Sequence, residues 1–120
     1  MGITKVTAAI SDLNKSKPAY ESLFLVDTGA IDCMAPASEL HKAGITVRGK
    51  AVYELANGEP FEVEYGYAII SFLGSETVVQ VIFGPENTEP ILGVVALENV
   101  GIDVDPVTNT LKKMVAKSLK

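Results

Sequence analysis

The chain has no tryptophan, one cysteine and one histidine among its 120 residues, and aromatic residues make up only 7% of it. A lone Cys33 cannot close an internal disulfide. Cys33, His41 and the dispersed acids also lack the spacing of a metal site, so neither metal nor other cofactor is expected. Basic residues are in the minority: ten Lys and Arg face fifteen Asp and Glu, for a net charge of -5. A nucleic-acid partner would need a basic face, and none is expected here. Long apolar runs are missing as well. The longest, Tyr67 to Leu73, falls far short of the roughly 20 residues of a membrane helix. Near the start, Lys5 precedes a short apolar stretch that Ser11 and Asp12 end, unlike a secretory leader. These absences point to a cytoplasmic chain with no membrane partner.

What is present suits one globular domain spanning residues 1–120. Apolar residues make up 48%, and the scarcity of aromatics predicts an aliphatic core. Ten Gly and six Pro are spread as turn punctuation. Residues 3–10 alternate as a first strand, and Asp12 to Pro18 reads as a loop. Tyr20 to Val26 reads as a buried strand. Pro36 to Lys42 suits one or two helical turns stopped at Gly44. Val47 to Leu55 is a strand, and Asn57-Gly58 predicts a type I′ hairpin turn with both residues at positive φ. A strand with one wet face follows through Glu62 and Glu64, continuing over Ala68 to Leu73. Gly74-Ser75 turns it into Thr77 to Phe83. After a polar loop come a short strand, Ile91-Leu92-Gly93, and a short helix, Val94 to Val100, stopped by Gly101. Asp105-Pro106 then turns the chain into an amphipathic tail, Leu111 to Leu119, of helical character.

The segment Leu23-Phe24-Leu25-Val26-Asp27-Thr28-Gly29-Ala30 is the most informative. An apolar run delivers one carboxylate to a tight turn. Burying a charge costs several kcal/mol, so such an acid is either paired or used in chemistry. An internal echo adds to this. Leu40-His41-Lys42-Ala43-Gly44-Ile45-Thr46-Val47 matches Leu97-Glu98-Asn99-Val100-Gly101-Ile102-Asp103-Val104 at Leu, Gly, Ile and Val. Each copy follows an apolar strand and a glycine turn.

Asp27-Thr28-Gly29-Ala30, the Asn57-Gly58 hairpin and Ile91-Leu92-Gly93 before a short helix occur in an order that resembles the retropepsin-like aspartic proteases. The narrower resemblance is to predicted prokaryotic aspartyl proteases, in which a segment like Gly101-Ile102-Asp103-Val104-Asp105 follows the second motif. The retropepsin-like resemblance covers roughly Leu23 to Asp105. The resemblance implies an all-β fold, a small closed β-barrel with one or two short helices, that pairs as a homodimer. It implies an aspartic endopeptidase that hydrolyses a peptide or protein substrate. Asp27 would be catalytic, and Thr28, Gly29 and Ala30 would support its loop. Thr28 would bond across the two-fold axis, and Gly29 would offer its N–H to the carboxylate. Ile91, Leu92 and Gly93 would brace that loop as the second motif, and Asn57 and Gly58 would lie at the tip of a flap. Ala30, Ile31 and Ile91 are expected near apolar pockets.

The chain departs from the viral pattern. Where viral members pair an Asp with an Arg, it has Ile31 and Val94, which predicts an apolar contact instead; Asp32 comes one place later. The tail differs from the interleaved chain ends of viral dimers, and the flap is more polar. The plainer readings are that Asp27 caps a turn, that Cys33 is a small buried apolar residue, that His41 lies at the surface, and that Glu62 and Glu64 are solvated. Met114, Val115 and Leu119 read as a packing stripe. The rival from another class is a non-catalytic dimerisation or peptide-binding module that keeps the barrel.

Overall fold

Alternation decides the first strand. Val6, Ala8 and Ile10 turn inwards from β1 (Lys5–Ser11) while Lys5 and Thr7 face water. In the computed structural model, which describes residues 4–114, β2 (Tyr20–Asp27), β3 (Cys33–Pro36), α1 (Ala37–Lys42), β4 (Gly49–Glu54), β5 (Pro60–Phe72) and β6 (Ser75–Gly84) follow. Then come β7 (Ile91–Gly93), α2 (Val94–Val100), β8 (Ile102–Asp105) and β9 (Thr110–Lys113). Structure is mainly β, and no helix among the described residues is long and apolar enough to cross a membrane.

Seven strands form one sheet in the order β1-β2-β7-β3-β6-β5-β4, and β8 and β9 form a separate pair. β5 holds the sheet together. Its outer half pairs β4, Glu64 to Phe72 pair β6, and its inner end also pairs β1, with Ala8 opposite Phe72 and Ser11 opposite Ile69. The burial pattern of β5 changes accordingly: both faces are largely wet near Pro60, whereas Gly66, Ala68, Ile70 and Phe72 are buried. The core is aliphatic as expected. Ile10, Leu40, Ile70, Val81, Leu92 and Leu97 are fully buried beside Phe24.

The echoed segments occupy matching places. Leu40 and Leu97 are buried on α1 and α2, Gly44 and Gly101 both have positive φ (86° and 72°), and Ile45 and Ile102 are buried after them. Left-handed backbone is the usual end of a helix that stops on glycine.

Three local expectations need correction. β2 is not a buried strand, because only Phe24 is fully covered and Leu23 is 52% exposed. The turn at Asn57-Gly58 is not type I′. Gly58 donates its N–H to the Leu55 carbonyl at 2.8 Å, Leu55 N–H donates to Glu59 at 2.9 Å, and only Gly58 has positive φ. That is a three-residue connection, a type I turn closed by a left-handed glycine. Asn57 instead uses Oδ1 to accept the Glu59 N–H. The two successive positive-φ residues occur at the other hairpin, Leu73 (50°) and Gly74 (77°), where Phe72 pairs Ser75. A leucine there costs about 1–2 kcal/mol, which the long β5–β6 ladder outweighs. The tail begins as a strand, not a helix: Thr110–Lys113 pair with Ile102–Asp105. Val115 and Leu119 lie outside the described residues, and Met114 is 38% exposed, so it is not packed inside.

Candidate active site

β2 and β7 run parallel, with Leu25 opposite Ile91, Val26 opposite Leu92 and Asp27 opposite Gly93. The acid and the second glycine motif therefore end neighbouring strands side by side. Past that point the two segments remain bonded. Val94 N–H donates to the Ala30 carbonyl at 2.8 Å, and Val95 N–H donates to the Ile31 carbonyl at 3.2 Å. The first N–H groups of a helix have no partner within it, so the Asp27 loop supplies acceptors that α2 needs.

Gly93 allows this closeness. A Cβ there would lie 2.5 Å from the Asp32 carbonyl oxygen and 2.6 Å from that of Ile31. Both are backbone atoms, and no rotamer change could clear them.

Within the loop, Gly29 N–H donates to Asp27 Oδ1 at 2.9 Å, and Ala30 N–H donates to the Asp27 carbonyl at 3.1 Å. Asp27 is half-buried, Thr28 and Gly29 are exposed, and Ala30 is half-buried. The Thr28 hydroxyl has no hydrogen-bond partner among the described residues of the chain. A single chain thus presents the Asp27 carboxylate and the Thr28 hydroxyl on a partly exposed loop tied to α2 by main-chain bonds. Ile31 is 63% exposed, and main-chain bonds link its segment to Val94 and Val95. Ile91 is half-buried and Leu92 and Gly93 are buried.

The hairpin carrying Asn57 and Gly58 is exposed from Glu54 to Glu62. Val52, Leu55 and Phe61 put apolar surface on it, at 67%, 44% and 46% exposure. Just inside this tip lies a polar cluster that sequence reasoning missed. Tyr53 on β4 donates its hydroxyl to Asp32 Oδ2, and Gln80 on β6 brings Nε2 to 3.5 Å from that oxygen and 3.4 Å from the phenol. Burial first, and then the Asp32 carboxylate beside it, push the Tyr53 phenol up to about 12. A signal existed: Ala51 and Tyr53 share the inward face of β4, and an inward tyrosine seeks a partner for its hydroxyl.

The remaining candidates stand apart. Cys33 is buried, and its thiol is pushed up to about 11, chiefly by burial. His41 is exposed and lies against the Phe83 ring, with centroids 4.9 Å apart. Glu62 and Glu64 are exposed.

No protein-family model matches the sequence, and no curated protein matches it. The fold is nevertheless a known one. Its mainly β architecture is shared with a retropepsin-like protease of a foamy virus. That solved structure is the simian foamy virus (mac) protease in solution, with a TM-score of 0.55 over 78% of this chain and 91% of that one. Identity is 14%, so the likeness shows the fold alone.

Proposed function

We propose that the protein is an aspartic endopeptidase whose site is completed when two copies of the chain bring their Asp27 side chains together. The carrying observation is the placement of Asp27 on a braced loop, opposite Gly93, within a fold shared with a viral protease. The pairing of β1 with β5 supports reading the sheet as a small closed barrel, and the exposed loop face of that barrel is where the second copy fits.

The chemistry follows from two like charges at close range. Carboxylates about 3 Å apart cannot both ionise, so the pair shares one proton and titrates as a unit. The ionised member takes a proton from a water molecule, which attacks the scissile carbonyl. The protonated member gives its proton to that carbonyl oxygen, and the amine leaves after a further proton transfer. Gly29 N–H stabilises the charged carboxylate. The Thr28 hydroxyl, free in one chain, has its partner in the other. An extended peptide lies beneath the β4–β5 hairpin, adding a strand through main-chain bonds, with Val52, Leu55 and Phe61 supplying apolar contact. No metal, nucleic acid or membrane takes part, and the reaction suits a cytoplasmic protein.

Sedimentation of the purified chain, alongside cleavage of a diverse peptide library from acidic to neutral pH, tests this. A dimer that cleaves internal peptide bonds is the expected result. A dimer that binds but never cuts peptides would identify a non-catalytic module instead. A chain that stays monomeric at all concentrations has only one carboxylate, and the mechanism fails.

A further inference from the structure

Asp32 joins two regions at once. Its carbonyl oxygen lies in the contact that only a glycine at 93 permits, while its side chain accepts the Tyr53 hydroxyl from β4. The strand on the other end of that bond has little else to hold it. β4 is the last strand of the row, and among the described residues its only ladder neighbour is β5. Tyr53 is also the outermost half-buried residue of β4, since every residue from Glu54 to Glu62 is exposed. The hairpin tip is therefore only loosely packed, and the Tyr53 hydroxyl is a point where it meets the loop that follows Asp27. Gln80, from β6 in the body of the sheet, backs both partners.

We propose that Asp32, Tyr53 and Gln80 are positioning residues that latch the β4–β5 hairpin to the Asp27 loop before substrate arrives. The role in turnover rests on the peptidase reading above, but the latch itself does not. A hydrogen bond from a phenol to a carboxylate is of the stronger, charge-assisted kind. It fixes the angle of the hairpin, so a peptide entering beneath it need not also order the tip. Loss of the bond should weaken capture of substrate and leave the chemical step, which belongs to Asp27, nearly unchanged.

Tyr53→Phe in the full-length protein removes one hydroxyl and keeps the ring. Amide hydrogen exchange should rise about tenfold across residues 49–64, with β1 and β2 amides unchanged. KM should rise about tenfold while kcat stays within about twofold. Asp32→Asn keeps an acceptor oxygen but loses the charge, so it should give a smaller rise in exchange. In that variant the Tyr53 phenol, followed by ring-labelled NMR, should titrate at lower pH than in the native protein. Unchanged exchange in the hairpin of folded Tyr53→Phe would overturn the latch, as would a Tyr53 titration indifferent to Asp32→Asn. A fall in kcat with KM unchanged would move Tyr53 into the chemistry and overturn the positioning role. If the native protein cleaves nothing, the peptidase reading fails, and exchange and phenol titration still decide the latch.

Discussion

α1 and α2 begin against opposite halves of the chain, and they do so by different means. At the start of α1, Ser38 donates its N–H and its hydroxyl to the carboxylate of Glu86, which arrives from the loop after β6. At the start of α2, Val94 and Val95 donate to main-chain carbonyls of Ala30 and Ile31. The flanking sequences echo each other, and the buried Leu40 and Leu97 are equivalent. One junction is thus closed by a side chain that a single substitution removes. The other is closed by backbone, which substitution cannot delete. The half that carries Asp27 is held by main-chain bonds, which suits the role of a positioned carboxylate proposed for it.

The sharpest test of this contrast concerns chemistry. Asp27→Asn keeps an oxygen for the Gly29 N–H, so thermal stability should hold while peptidase activity falls at least about a thousandfold. Retained activity in a folded variant would remove the functional difference between the halves. Next come the two equivalent leucines. Leu40→Ala and Leu97→Ala should each cost about 3 kcal/mol in denaturant unfolding, since both empty a fully buried site. Strongly unequal values would mean that the echo is one of sequence only.

Gly93→Ala should cost about 2 kcal/mol and also depress activity, because its methyl would drive the Ile31–Asp32 backbone away from β7. Gly29→Ala meets only the Asp27 Oδ1 atom, at 3.2 Å, and should be milder in stability than Gly93→Ala. The reverse order would contradict the idea that backbone contact dominates this junction. The smallest effect belongs to Glu86→Gln, with a slight fall in melting temperature and activity intact. Bonds from Ser38 hold the Glu86 carboxyl below the usual range. Its folded-state pKa is depressed, so its contribution is present above the ordinary glutamate pKa and fades as pH falls through the lowered one. Thermal melts of native and variant protein should therefore differ near neutrality and converge in acid.

Much of the architecture was visible in the residue pattern. Val94–Val100 has aliphatic residues before a stopping glycine, and Ile91–Gly93 is too short and apolar for anything but a buried strand. Asp27 announced itself as a lone acid ending an apolar run. Other features depend on partners distant in sequence. The Asp32–Tyr53–Gln80 cluster spans separations of 21 and 48 residues, which no local pattern encodes. β2 is less covered than its apolar composition implies, because Leu23 faces out of the single chain. Asn57-Gly58 is not a type I′ turn because three residues, not two, lie between the last bonded pair, Leu55 and Glu59. At Leu73-Gly74 ladder register imposed the tighter turn on an unfavourable residue. At the tail, Leu111 and its neighbours took the strand that β8 offered them.

The parallel pairing of β2 with β7 has a bearing on the order of events during synthesis. Asp27 is made well before Gly93 and the amides of Val94 and Val95 that brace its loop. Until they do, the acid sits on an unsupported turn, and such non-local pairing is slow to form. A nascent chain, or one truncated before β7, therefore carries Asp27 on a loop that lacks its brace. Under the proposed peptidase reading, competence waits until the chain extends past β7 and into α2, a delay that would protect unfinished copies from being cut.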